Sequence, residues 1–240
     1  MEHQGLMKII GIIPARFRSS RFPGKPLLDL GGKSMVQRVY EQAQKSNIHQ
    51  VIVATDDERI YDAVLTFGGK AVMTSIKHLS GTDRCLEALQ KMQEKFDAVI
   101  NIQVDEPFIH PEQIQKIAYC LQEQSTQIAT LGKAVSRKED VLDINAPKVF
   151  YNSQMLATAF EREVDFNEKT QYYHHIGIYG YKHDILSEIT KLKPSKNEIE
   201  KRLEQLRWLD NGYNISVDLT EHESVSIDTP EDVKKIAHLL

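Results

Sequence analysis

Hydrophobic and polar positions alternate along this chain in two rhythms. Short apolar runs bounded by turn residues predict buried strands at 9–13, 51–54, 70–73, 98–102 and 127–131. Between them, apolar residues recur at helical spacing. Val36, Val39, Tyr40 and Ala43 mark one face of a helix over about 35–45, with Ser34 as its cap. Ile60, Ala63, Val64 and Phe67 mark a second helix, started by Asp56 or Asp57 and stopped by Gly68-Gly69. Leu86, Leu89 and Met92 follow the capping run Ser80-Gly81-Thr82-Asp83, and Ile114, Ile117, Ala118 and Leu121 follow Pro111. This alternation predicts an α/β fold, a three-layer sandwich around a mainly parallel sheet.

The rhythm changes near residue 136. Residues 147–182 hold strand-like pieces, PKVFYN and YYHHIGIYGY, without regular alternation with helices. They predict a small antiparallel insertion, suited to an oligomer arm. Helical segments are expected over about 183–190 and 198–210, a strand over 213–217, and a last helix with Pro230 in its first turn. Residues 1–240 read as one domain carrying the insertion at about 147–182.

Composition narrows the classes of function. The chain has 240 residues, 41% of them hydrophobic, enough for a substantial core. A net charge of -4 argues against a nucleic-acid partner, which needs a net basic face. The two cysteines, Cys85 and Cys120, form no CxxC and predict neither a disulfide framework nor a zinc site. No apolar run is long enough to span a membrane, and no secretory pattern opens the chain. A cytoplasmic protein with no membrane partner is expected.

Against this mildly acidic background one loop stands out. The first strand opens onto Arg16, Arg18, Arg21 and Lys25, with no acidic residue before Asp29, and Pro14, Pro23, Pro26 and Gly24 shape the turn. The carboxyl end of a parallel strand is where open α/β sheets bind ligands, so these cations predict a polyphosphate. Gly31-Gly32-Lys33-Ser34 has the tail of a Walker A sequence, but Leu27 stands where its first glycine is required. Phosphates would therefore be held by guanidinium and ammonium groups rather than by a glycine-rich backbone cradle.

Asp105, in NIQVDEP, and Asp228, in SIDTPED, each follow an apolar stretch and are candidates for magnesium, which takes carboxylates together with phosphate oxygens. The competing readings are a helix N-cap for Asp228, which is favoured when that residue is taken alone, and a loop acid before a proline turn for Asp105. His174 and His175 face opposite sides of a strand. His175, Tyr179 and Tyr181 share a side, either core or a polar sugar pocket. Glu204-Gln205 reads as a solvated helix face.

The segments IIPARFRSSRFPGKPL, VATDD, SGTDR, NIQVDEP, HIGIYGY, LEQLRWL and IDTPED occur in the order found in one family. Through them the chain resembles the 3-deoxy-manno-octulosonate cytidylyltransferases (CMP-Kdo synthetases). The resemblance implies a nucleotide-diphospho-sugar transferase-like fold, a cytoplasmic homodimer and a magnesium cofactor. It implies joining CTP to 3-deoxy-D-manno-octulosonate (Kdo), giving CMP-Kdo for lipopolysaccharide synthesis and diphosphate. Arg16 and Lys25 match triphosphate-binding residues, with Lys25 at the α-phosphate, and Arg21 matches a residue near the phosphates and the sugar acid. Asp105 and Asp228 match the magnesium ligands. Thr55 and Asp56, with Ser80, Gly81 and Arg84, match the cytosine pocket. Gln103, His175, Tyr179, Glu204 and Gln205 match Kdo-contacting positions, and Arg162 is the nearest match to an arginine that meets the sugar carboxylate. Two departures are visible: Val104 where the family usually has glycine, and FEREVDF around Arg162 where it tends to have FSR, a small residue and Ile-Pro. They leave open a related acid sugar, such as the 8-amino analogue of Kdo. In a different class, a non-catalytic nucleotide-binding regulator would have no need of Lys25 together with both aspartates.

Overall fold

Each apolar run of the first half forms a strand in the computed structural model, which describes residues 7–18 and 22–236. The chain divides into two units, residues 1–115 with 224–240, and residues 116–223. The expected insertion at about 147–182 lies inside the second unit, and α4 (Pro111–Gln122) has residues on both sides of residue 115.

In the first unit, β1 (Ile9–Ala15), β2 (Gln50–Thr55), β3 (Ala71–Met73) and β4 (Ala98–Asn101) form a parallel sheet in the order β3-β2-β1-β4. Ile12 lies opposite Ile52 on one side and Asn101 on the other. β1 reads as a continuous apolar run because a parallel strand is covered on both faces, and Ile10, Ile12 and Ile13 are fully buried. The connecting helices are α1 (Met35–Gln44), α2 (Glu58–Thr66) and α3 (Gly81–Gln90). Right-handed crossovers put α1 and α2 on one face. The connection from β3 back to β4 reverses direction and puts α3 on the other, so this unit has the expected helix-sheet-helix layering. The reversal makes the gap between the carboxyl ends of β1 and β4 a topological switch point, the usual ligand position in such sheets.

The helix starts follow from their caps. Ser34 Oγ accepts from the Gln37 amide at 3.3 Å, Asp57 Oδ1 from the Arg59 amide at 3.1 Å, and Ser80 Oγ from the Asp83 amide at 3.1 Å. Asp57, not Asp56, is therefore the cap of α2, and Gly68, at φ 79°, closes the turn after that helix.

The second unit contains β5 (Ile128–Val135), α5 (Lys138–Leu142), β6 (Lys148–Tyr151), β7 (Ala157–Glu161), β8 (Tyr172–Lys182), α6 (His183–Ile189), α7 (Lys196–Lys201), α8 (Gln205–Asp210) and β9 (Ile215–Leu219). β5 runs antiparallel to β8 and parallel to β9, while β6 pairs antiparallel with β7 and, at Lys148, with β8. The antiparallel character predicted for 147–182 is present. The ladder between β5 and β8 slips at one point: Leu131 faces Ile176 but Thr130 faces Tyr179. The two extra residues, Gly177 and Ile178, preserve parity, so His175 and Tyr179 stay on one face.

The helix expected over 198–210 is two helices. α7 begins at a capping box, Ser195 with Glu198, and ends at Arg202 in the left-handed region, φ 54° and ψ 49°. Arginine is not a helix-stop residue, so spacing alone carried the pattern through it. The chain then returns to the first unit, where α9 (Pro230–Lys235) begins beside a buried cluster of Leu30, Met35, Ile227 and Ile236. Among the described residues no helix is long and apolar enough to cross a membrane.

Candidate active site

The cleft of the first unit opens at the switch point, lined by residues that follow β1 and β4 and by the start of α3. Past β1 the chain turns back so that the Gly24 amide donates to the Phe17 carbonyl at 2.9 Å. Gly24 sits at φ 74°, and a Cβ there would lie 3.1 Å from Phe17 Cζ. The Arg59 guanidinium lies 3.3 Å from the centre of the Phe17 ring and is paired with Asp57 through two nitrogens. A single turn of 3-10 helix, Lys25–Leu27, follows with Pro26 fixing its first turn. Gly24→Ala is expected to cost about 1–2 kcal/mol, because only glycine takes this conformation freely, and a thermal melt reads it as a lower midpoint.

This turn buries Lys25, which is 9% exposed. Its Nζ donates to Asp105 Oδ2 at 2.8 Å and to Asp228 Oδ1 at 3.0 Å. Asp105 lies in the turn after β4, and its carbonyl accepts from the Ile227 amide at 2.9 Å, tying the two acidic segments together. The cap of α9 is Thr229: its hydroxyl accepts from the Asp232 amide at 3.4 Å, and Asp232 Oδ2 accepts from the Thr229 amide at 3.0 Å. The N-cap reading of Asp228 is corrected accordingly. Pro230, at the first helical position, carried the signal, since it sets the cap one residue before itself. Two carboxylates thus converge on one cationic atom, the all-oxygen donor pair that a magnesium ion takes with phosphate.

The α3 end of the cleft is built by close approach. A Cβ on Gly81 would lie 3.1 Å from Pro14 Cγ, so glycine lets α3 start against the end of β1. Arg84, 3% exposed, donates to Thr74 Oγ1 at 2.6 Å and to Asp56 Oδ2 at 2.9 Å. Thr55 is fully buried, and its carbonyl accepts from the Thr74 amide at 2.7 Å. Ser80, Gly81 and Arg84 line the cleft with Arg16, Lys25, Gln103, Asp105 and Asp228, whereas Thr55 and Asp56 stand behind Arg84. Arg16 is exposed, and Gln103 donates to Asn101 Oδ1 at 3.2 Å. Arg21 lies outside the described residues.

Sequence reasoning missed His78 and Leu79, which also line the cleft. The available signal was their place directly before SGTDR and, for Leu79, a large apolar side chain in a polar loop; it is 92% exposed. Glu87 anchors this loop by accepting from the Ser75 amide at 2.8 Å and contacting His78 Nε2. Burial pushes the Glu87 carboxyl up, but hydrogen bonds from Lys91, Ser75 and His78 outweigh it and hold the group down at about 2. Glu106, beside Asp105, is buried and pushed up to about 7 by burial and the Asp105 charge, against a hydrogen bond from Ser224.

The remaining predicted residues belong to the second unit. His175, Tyr179 and Tyr181 share a face, as the spacing predicts. The His175 and Tyr179 rings are 5.3 Å apart, and Tyr179 and Tyr181 both meet Trp208 edge-on, at 5.0 and 5.4 Å. Gln205, expected on a solvated face, is buried at the first turn of α8, directly after Glu204. Tyr179 Oη and Gln205 Nε2 are buried without a hydrogen-bond partner among the described residues. Burial raises the Tyr179 hydroxyl well above its ordinary value, with Tyr181 and Glu204 adding to it. Arg162 lies at the end of β7, with its guanidinium on the carbonyls of Lys201, Ile144 and Arg202.

His175 Nε2 is 2.9 Å from Thr130 Oγ1, which lies 2.9 Å from the Ile178 carbonyl. Thr130 therefore donates to the carbonyl and accepts from a neutral imidazole. One edge of the residue stays accessible, but the ring is enclosed by Phe160 and Tyr179, and burial lowers it to about 3. The folded form thus binds fewer protons than the unfolded chain between the ordinary histidine value and about pH 3. This contribution is complete above that window and is lost as pH falls through it. Melting curves from pH 7 to pH 4 should show His175→Gln losing less stability in acid than the unsubstituted protein.

A parallel sheet with an arginine- and lysine-bearing loop at its switch point, facing two carboxylates, defines an α/β protein of the nucleotidyltransferase class. The family model described as Cytidylyltransferase matches residues 10–221. The 3-deoxy-manno-octulosonate cytidylyltransferase of Parabacteroides distasonis is 51% identical, over 96% of this chain and 97% of its own. That of Bacteroides thetaiotaomicron is 49% identical, over 98% of each. The solved CMP:2-keto-3-deoxy-manno-octonic acid synthetase complexed with CTP is 38% identical, covers 97% of this chain and 98% of its own, and superposes with a TM-score of 0.91. The chain belongs to the 3-deoxy-manno-octulosonate cytidylyltransferase family.

Proposed function

We propose that the protein transfers CMP from CTP to the anomeric hydroxyl of Kdo, giving CMP-Kdo, a precursor for lipopolysaccharide, and diphosphate. The observation that carries this reading is Lys25 held between Asp105 and Asp228 in the cleft of a chain whose relatives bear that activity in their names. The anomeric hydroxyl oxygen attacks the α-phosphorus and gives up its proton to solvent, and the bond to the bridging oxygen breaks with its electron pair leaving on diphosphate. Such a reaction needs positioning and charge neutralisation above all.

Arg16 and Lys25 hold the triphosphate, Lys25 offsetting charge that builds at the α-phosphate, and Arg21 serves the phosphates and the sugar acid. Asp105 and Asp228 fit a magnesium ion, because their oxygens already converge on one cationic atom. The ion, when bound, offsets phosphate charge. Ser80, Gly81 and Arg84 take the cytosine side, with Thr55 and Asp56 steadying Arg84 from behind. For the sugar we assign Gln103 and, in the second unit, His175, Tyr179, Glu204 and Gln205, whose unpartnered Tyr179 Oη and Gln205 Nε2 suit a polyhydroxy ligand. The protein is taken to act in the cytoplasm as a homodimer, which light scattering checks.

Diphosphate release with CTP, magnesium and a panel of acid sugars tests the reading. Release with Kdo supports it, and no release with any sugar sinks it. Val104 lines the cleft next to Asp105 and favours a second reading, a modified acid sugar. Release with 8-amino-Kdo alone would establish that one.

A further inference from the structure

We propose that Arg162 is a positioning residue that fixes where α8 begins, and thereby sets Glu204 and Gln205, rather than a ligand of the sugar carboxylate. The inference deepens the proposed function and rests on it for the sugar-binding role of those two residues. Arg162 Nε donates to the Lys201 carbonyl at 3.0 Å, one terminal nitrogen to the Ile144 carbonyl at 3.1 Å and the other to the Arg202 carbonyl at 3.2 Å. All three guanidinium nitrogens are therefore engaged with backbone.

The acceptors explain what this achieves. Lys201 is the last residue of α7, and Arg202 is the left-handed residue that breaks the helix. Carbonyls at a helix end lack intrahelical partners, and a side-chain-bearing residue with positive φ persists only when its surroundings hold it. Arg162 supplies both needs at once. Glu161, its neighbour, adds an ion pair to Lys201 Nζ at 2.7 Å. The clamp is itself anchored: Lys148, fully buried, donates to the Arg162 carbonyl at 2.9 Å and to the Asp143 and Ala146 carbonyls at 2.8 Å each. From Arg202 the backbone passes through buried Leu203 straight to Glu204 and Gln205. A shift at Arg202 moves both.

The chain carries its own reporter. Trp208, its single tryptophan, lies in α8 against Tyr179 and Tyr181. Arg162→Ala should change the Trp208 emission and near-ultraviolet dichroism while the far-ultraviolet spectrum is retained. It should raise KM for the acid sugar by about tenfold and leave KM for CTP within about twofold. The preference for the sugar acid over its carboxamide should match that of the unsubstituted protein. Arg162→Lys keeps the charge but replaces three donor nitrogens with one, so it should show the same signs in weaker form. An unchanged Trp208 signal with the acid preference lost in either variant would make Arg162 the carboxylate ligand and overturn the proposal. Unaltered kinetics in Arg162→Ala, or failure of both variants to fold, would overturn it as well. If the unsubstituted protein does not turn over Kdo, the proposed function fails separately, and the Trp208 measurement still tests the clamp.

Discussion

Lys25→Met is expected to lower kcat for diphosphate release by about a thousandfold. The substitution keeps the buried stem and removes only the ammonium, so packing should survive. What is lost is a fixed positive charge aimed at the phosphate on which negative charge builds, and removing one such preorganised donor costs about two to three powers of ten. A second effect follows from the contacts of Lys25 in the free protein. Its ammonium lies within 3.0 Å of both Asp105 and Asp228, so lysine and metal compete for the same oxygens. Lys25→Met should therefore melt at a lower temperature without magnesium, because two carboxylates are left facing each other. It should also bind magnesium or manganese more tightly than the unsubstituted protein when no nucleotide is present. Stopped-assay kinetics and titration calorimetry read the two effects. A kcat within about tenfold of normal would remove Lys25 from the reaction.

Asp105→Asn should abolish turnover almost as completely, again by about a thousandfold, while leaving the fold intact. The amide keeps the shape and one acceptor for Lys25, and Asp228 remains as its charged partner at 3.0 Å, so the ammonium is not left unpaired and the fold should survive. A neutral amide oxygen is a poor ligand for a hard dication, and one of the two protein carboxylates of the proposed metal site is gone. Because Lys25 and Asp105 act on the same phosphates, their losses should not add. The double variant Lys25→Met/Asp105→Asn should fall little below either single variant. Near-normal turnover in Asp105→Asn, or a thermal midpoint lowered by many degrees, would contradict its assignment.

Much of this site was legible in the sequence, because its parts are carried by local signals. The run Ile9–Ala15 ends in a cation-rich loop, Ser80 caps α3, and Asp105 follows a strand, each readable within a dozen residues. The rule for strand ends brings Lys25 and Asp105 together although they lie 80 residues apart. Asp228, expected at a strand end, follows no strand and reaches Lys25, 203 residues away, from the segment between β9 and α9. The features that were not legible depend on contacts between distant backbone groups. Nothing in KRLEQL marks Arg202 as left-handed. The break is held by Arg162, 39 and 40 residues away, which reaches past side chains to carbonyls that no motif records. The same reach explains why an arginine matched to a sugar-binding position is found clamping a helix end. The competing cap reading of Asp228 fails for a smaller reason: the capping pattern of IDTPED admits two residues, and only the position of Pro230 chooses Thr229.

A crystal structure of the protein with CTP and magnesium is the most direct test. Lys25 Nζ is expected to leave both carboxylates for an oxygen of the triphosphate, with a metal ion bound by Asp105 and Asp228. A triphosphate seated elsewhere, with Lys25 still bridging Asp105 and Asp228, would contradict it.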